Sequence, residues 1–200
     1  GPDGGIMRRL SEAMGFFDRS IDIVLATHSD QDHIGGLPEV LDRYVVSEIL
    51  MTENKGESSV AEAFRERARG EGADITYARR GMQYDLGGGA LLTVLFPDRD
   101  SALLESNTSS IVARLVYGES EFLFTGDSPH AIEEYLVMLD GEKLRSDVLK
   151  VGHHGSQTST SELFLDAVRP QYAIISSGKN NQYGHPHAAV IAALRAVGAE

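Results

Sequence analysis

The chain has no cysteine among its 200 residues. Disulfides, thiolate nucleophiles and thiolate metal ligands are therefore excluded, although the compartment stays open because many exported proteins also lack cysteine. Long apolar runs are missing too. No stretch approaches the roughly 18–20 apolar residues of a membrane helix, and the start "GPDGGIMRRL" has no basic-then-apolar signal pattern. Positive charge is scarce: 18 Lys and Arg face 30 Asp and Glu, a formal net charge of −12. Such a chain repels a nucleic acid backbone unless charge is locally inverted, and bound divalent cations are one way to invert it.

At 42% hydrophobic and 24% charged residues the composition is that of a globular, soluble protein. The length fits one domain over 1–200, with one sizeable core. "IDIVLAT" (21–27) and "VVSEILMT" (45–52) read as strands, with "GGLPEVLDRY" (35–44) helical between them; Pro38 is tolerated in a first turn. "SSVAEAFRERARGEG" (58–72) has a serine start, strong helix formers and a glycine stop. "DITYA", "MQYDLGGGALLTVLFP" and "SSIVARLVYGESEFLFTGD" read as successive strands, with turns at 87–89 and 117–120. A helix near 129–139, strand 146–151, helix 160–168, strand 172–178 and a helix from about His187 follow. The pattern predicts an α/β sandwich with helices outside.

Six of the seven histidines fall in three tight clusters. Each polar cluster follows a predicted strand. "IDIVLAT" leads into His28, Asp30, Asp32 and His33; "EFLFTG" into Asp127; "VLKVG" into His153 and His154; "AIISSGKNNQYG" into His185. Taken alone, "DQD" is an ordinary turn or helix cap, "HH" a surface pair and "GD" a common turn. Four such clusters at strand ends point instead to one shared metal site, because strand-end loops are where a rigid scaffold places its chemistry. His130 and His187 read as helix-terminus residues, and the sequon "NTS" (107–109) as coincidence.

Imidazole nitrogen and carboxylate oxygen together suit divalent metals. In an extended loop, His28 and Asp30 share one side, while Asp32 and His33 turn to a second ion and Asp127 bridges. Two ions roughly 3.5–4 Å apart hold a hydroxide and clamp a phosphoryl oxygen, so no serine or cysteine nucleophile is needed. A histidine at the rim binds phosphate or protonates the leaving group.

"THSDQDHIGG" (27–36) resembles the His-x-His-x-Asp-His signature of the metallo-β-lactamase superfamily, with Asp30 in place of the second histidine. More narrowly, "THSDQDHIGGL", "SNTSSIVARLVYGESEFLFTGD", "LKVGHHGSQTSTS" and "AIISSGKNNQYGHPH" are similar, in order, to the β-lactamase-like domain of the ComEC/Rec2 competence DNA-uptake proteins. The resemblance implies a four-layer αββα sandwich with a dinuclear site. His28 and Asp30 then bind one ion, Asp32 and His33 the other, Asp127 bridges, and Asp32, His153 and His154 are catalytic. His185 fits the terminal metal ligand and His153 the catalytic or phosphate-binding histidine, with the exchange of those two roles left open.

One departure matters. The superfamily usually has a histidine between the signature and the bridging aspartate, where this chain reads "SNTSS". The first position is thereby oxygen-rich, which favours Mn²⁺ or Mg²⁺ over Zn²⁺ and implies weak binding. The family's chains continue beyond both ends of this one, so a fragment of a larger protein is expected. The resemblance further implies a monomeric, extracytoplasmic nuclease domain that acts on DNA and meets a membrane only through the parent protein's other domains. Two alternatives remain. One is another hydrolase of the same fold (small phosphodiesterase, thioesterase or lactamase); the other is a degenerate domain that binds DNA or a partner.

Overall fold

The computed structural model describes residues 4–200. The chain divides into two compact units: residues up to Ala78 together with Asp100–Ser109, and Arg79–Arg99 together with Ser110–Glu200.

The first unit contains α1 (Gly5–Ala13), β1 (Ser20–Ala26), α2 (Gln31–Ile34), α3 (Leu37–Leu41), β2 (Val45–Met51), α4 (Ser59–Glu71) and β3 (Asp74–Tyr77). Its sheet has the order β1-β2-β3, all parallel, with Ile23 opposite Glu48 and Leu50 opposite Thr76. Helix α4 starts and stops as the sequence predicts. The Ser58 hydroxyl accepts the Ala61 N–H at 3.1 Å, and Gly72 closes the helix in the left-handed region at φ +80°. Ile34, Leu41, Ile49, Ala61, Phe64 and Ala68 bury one face of the helices against the sheet. Burying a large apolar side chain contributes about 1.5–3 kcal/mol each.

Two features of this unit differ from expectation. Helix α1 carries no side-chain cap, no acidic residue in its first turn and no buried residue, so the usual start signals of a helix are absent from it. The signature stretch is extended only as far as Asp30 (φ −77°, ψ 146°); residues 31–34 then form a helical turn, not an extended loop.

The second unit contains β4 (Gln83–Asp85), β5 (Ala90–Phe96), β6 (Val112–Tyr117), β7 (Ser120–Phe124), α5 (His130–Asp140), β8 (Val148–Lys150), α6 (Glu162–Val168), β9 (Tyr172–Ile174) and α7 (Ala188–Ala196). Its six-stranded sheet runs β4-β5-β6-β7-β8-β9. The first four strands form an antiparallel meander, whereas β7, β8 and β9 are mutually parallel. Parallel strands expose their C-terminal ends on one sheet edge. The segments holding Asp127, His153 and His185 therefore all leave from the same edge. Leu123, Leu149, Val151, Phe164 and Leu165 are fully buried in this unit.

Candidate metal centre

In the first unit, β1 delivers Thr27 and His28, and α2 turns the chain so that His33 comes back beside His28. The two imidazole rings lie 4.0 Å apart. The Thr27 hydroxyl sits between them, 3.2 Å from His28 Nδ1 and 3.3 Å from His33 Nδ1. A hydroxyl oxygen has two lone pairs and can accept from both Nδ1–H groups, the tautomers that leave both Nε2 lone pairs available. His28 Nε2 faces Asp30 Oδ2 at 3.7 Å, and His33 Nε2 faces Asp32 Oδ2 at 3.8 Å. His28 is 1% exposed, so its polar ring is buried at a strand end rather than at the surface.

Asp30 is the N-cap residue of α2 by position, yet its carboxylate makes no capping bond. Oδ1 instead accepts the Ser106 hydroxyl at 2.6 Å. Ser106 is held in place by the loop after β2. The Glu53 carboxylate accepts the Ser101 N–H at 2.8 Å, and the Asn54 amide donates to the Leu104 carbonyl at 2.6 Å. Ser29 donates to the Asn54 carbonyl at 2.7 Å, tying the signature to that loop. Asn107, in the stretch where the resemblance expects a histidine, has a buried Oδ1 with no hydrogen-bond partner among the described residues. A buried carbonyl oxygen left in that state costs about 1–3 kcal/mol, which a cation at this position would offset.

In the second unit, Asp127 follows β7 and is 3% exposed. Its N–H donates to the Ser110 hydroxyl at 3.1 Å. Gly152–Gly155 form a 3₁₀ turn after β8 in which His153 (φ 46°) and His154 (φ 56°) both take the left-handed conformation. That conformation costs an ordinary residue about 1–2 kcal/mol. It sends both side chains toward Asp127: His154 Nε2 lies 3.5 Å and His153 Nε2 3.7 Å from Asp127 Oδ2. His153 Nδ1 lies 3.1 Å from the Thr158 hydroxyl.

The tautomer of His154 follows from its partner. Nδ1 lies 2.7 Å from the Ser176 carbonyl, which can only accept, so Nδ1 carries the proton. Neutral His154 then aims an Nε2 lone pair at a carboxylate oxygen. Two acceptors face one another in that arrangement, and it is favourable only with a cation or a proton between them. The donors fit a divalent ion.

His185 joins this group by ring contacts, 5.7 Å from His153 and 6.5 Å from His154. Burial holds its pKa below the usual imidazole value, and His187, His153 and His154 add to that, against the opposing Asp127 charge. Its role differs from that of His187, which is the N-cap residue of α7 and accepts the Gln157 N–H on Nδ1 at 3.1 Å. The loops are locked together at Gly155, φ +85°, where a Cβ would stand 2.6 Å from Pro186 Cβ. Burial pushes the Lys150 ammonium below its usual range, with Asp127 opposing. His130 begins α5, as expected of a helix-terminus residue.

The structure thus gathers His28, Asp30, Asp32 and His33 within one unit, and Asp127, His153, His154 and His185 within the other. Sequence reasoning missed Thr27, Ser106, Ser110 and Thr158. All four lie in the quoted motifs themselves, yet nothing in the sequence marks Ser106 as a partner of Asp30.

Candidate metal-ligand residues carried just beyond the ends of parallel strands mark an α/β protein with a potential metal site. Residues 1–179 match the Metallo-beta-lactamase superfamily; the chain belongs to it and has its fold. Among curated proteins the chain is 35% identical over 177 residues to "ComE operon protein 3" of Bacillus subtilis, covering 88% of this chain and 22% of that one. It is 33% identical over 180 residues to "Competence protein ComA" of Neisseria gonorrhoeae (90% and 23%). It is 31% identical over 194 residues to "Recombination protein 2" of Haemophilus influenzae (96% and 22%). These matches bear out the resemblance to the competence proteins. The chain spans under a quarter of the length of each of these relatives.

Two solved structures show the same fold at low identity. CmlA, a diiron beta-hydroxylase from Streptomyces venezuelae, aligns with TM-score 0.56 and 17% identity over 90% of this chain and 42% of that one. Zn²⁺-bound PqqB from Methylobacterium extorquens aligns with TM-score 0.54 and 12% identity over 98% and 78%. No helix among the described residues is long and apolar enough to cross a membrane.

Proposed function

We propose that the chain is the metal-dependent DNA phosphodiesterase domain of a longer, membrane-embedded competence protein, exposed outside the cytoplasm. The observation that carries the metal reading is His154. Its Nδ1 proton is committed to Ser176, and its Nε2 lone pair faces Asp127 Oδ2 at 3.5 Å. The relatives' printed names, one a competence protein and one a recombination protein, support DNA as substrate.

In this reading the Arg79–Glu200 unit supplies Asp127 and His154 as ligands, with His154 rather than His185 or His153 as the terminal histidine. The unit that holds β1 supplies Asp32 and His33 as one set, and His28 and Asp30 as a second set completed by Asn107 Oδ1. The second set is rich in oxygen, which favours Mn²⁺ or Mg²⁺. When bound, the ions supply Lewis acidity and water acidified toward neutral pH. Thr27, Ser106 and Ser176 orient the ligands. His153, partly exposed and braced by Thr158, contacts the phosphate or protonates the departing oxygen.

The test is cleavage of linear DNA with and without Mn²⁺. The wild type should cut only with metal, and Asp127→Asn should not cut. No cleavage by the wild type, or equal cleavage by the variant, overturns the reading. The net charge of −12 favours a runner-up, a hydrolase of the same fold acting on a small substrate. Turnover of nitrocefin or a thioester without DNA cleavage would select it. Failure to bind any divalent ion at millimolar concentration would select a non-catalytic domain.

A further inference from the structure

The segment after β9 has a composition unlike the rest of the chain. No aspartate or glutamate occurs between Asp166 and Glu200, in a chain that holds 30 of them, while Arg169, Lys179 and Arg195 fall in that interval. The formal charge of this stretch is positive, unlike that of the chain as a whole. On this segment Tyr183 is 67% exposed, and its ring stacks on His185 at 5.7 Å between centroids and 26° between planes.

The exposure is not that of a slack loop. Asn181 braces the turn with both ends of its amide. Its Nδ2 donates to the Gly178 carbonyl at 2.8 Å and the His185 carbonyl at 2.6 Å, and its Oδ1 accepts the Tyr183 N–H at 3.2 Å and the His185 N–H at 2.9 Å. The tyrosine ring is therefore held out beside the histidine group. Lys179, Asn180 and Gln182 surround it in sequence with cationic and neutral polar groups. An exposed aromatic face on a braced turn, with a cation in the same loop, is the kind of element by which single strands are bound without sequence preference.

We propose that Tyr183 is a stacking platform for an unpaired nucleobase of a single-stranded nucleic acid, with Lys179 meeting its phosphate. The inference rests on the phosphodiester reading for its biological sense, but not for its measurement. Tyr183 then biases the site toward single strands or frayed ends, because a base inside a duplex presents no free face.

The experiment uses a single-stranded deoxyoligonucleotide carrying 2-aminopurine, bound to the protein in EDTA so that no turnover occurs. Stacking should quench the fluorescence. Tyr183→Phe should bind within about twofold of wild type, and Tyr183→Ala should bind about 5- to 150-fold more weakly and lose the quench. Equal binding by Tyr183→Ala, no quench in the wild type, or equally tight binding of the matching duplex overturns the proposal. Wild-type hydrolysis of methyl p-nitrophenyl phosphate with Mn²⁺ separates the two readings. Its absence sinks the phosphodiesterase, while the fluorescence result still decides the platform.

Discussion

Ser106 donates its hydroxyl proton to Asp30 Oδ1 at 2.6 Å, across 76 residues of sequence. The bond fixes which carboxylate oxygen is spent and leaves Oδ2 toward His28. Outer partners of this kind typically carry 10–100-fold in metal affinity. Ser106→Ala should weaken Mn²⁺ binding by about that factor in a calorimetric titration. An unchanged affinity would mean that Asp30 is oriented by something else, or is not a ligand.

His154 and His185 make opposite predictions. If His154 is the terminal ligand, His154→Ala loses about one equivalent of bound ion, whereas His185→Ala keeps the wild-type stoichiometry. The reverse pattern would return the ligand role to His185. Atomic absorption on dialysed protein reads the count directly.

Asn107 stands where the resemblance leads one to expect an imidazole. Asn107→His should raise Zn²⁺ affinity relative to Mn²⁺, because it replaces an oxygen donor with a nitrogen donor. The shift should be tenfold or more (about 1.4 kcal/mol) in competition titrations. If the preference does not move, Asn107 lies outside the ligand shell.

Glu133 governs a pH dependence away from the metal ligands. Its carboxylate accepts the N–H groups of Thr160 and Ser161, yet burial outweighs these bonds and raises its pKa above the ordinary carboxylate value. The folded state therefore holds this proton more tightly than the unfolded chain does. The stability contribution is fully present below pH 4.5 and is lost as pH rises through the folded pKa. Glu133→Gln mimics the protonated group. The melting temperature of the wild type minus that of the variant should fall as pH rises from 4.5 toward neutrality. A flat difference would contradict the assignment.

How much of this was legible beforehand depends on whether the signal was local. Helix α4 was legible because Ser58 and Gly72 bracket a run of helix formers. The strands were legible because β-branched and apolar residues recur between glycine turns. Strand β9 ends at Ile174, short of the predicted 178, because β8 offers it partners only as far as Lys150. The chain then leaves the ladder and gives the Ser176 carbonyl to His154. No local pattern announces that exchange.

The sequence by itself determined the α/β class, the donor types and their attachment to strand ends, since periodicity and residue chemistry are local properties. It also excluded thiolate chemistry outright. Tertiary structure alone decided which of two adjacent histidines has a fixed tautomer, that Asp30 is held by Ser106 rather than capping a helix, and that Tyr183 stands out on a braced turn. Those outcomes depend on where distant backbone carbonyls and hydroxyls arrive once the sheets have formed. A hydrogen bond to a carbonyl 22 residues away, like that from His154 to Ser176, exists only after the fold has brought the two together.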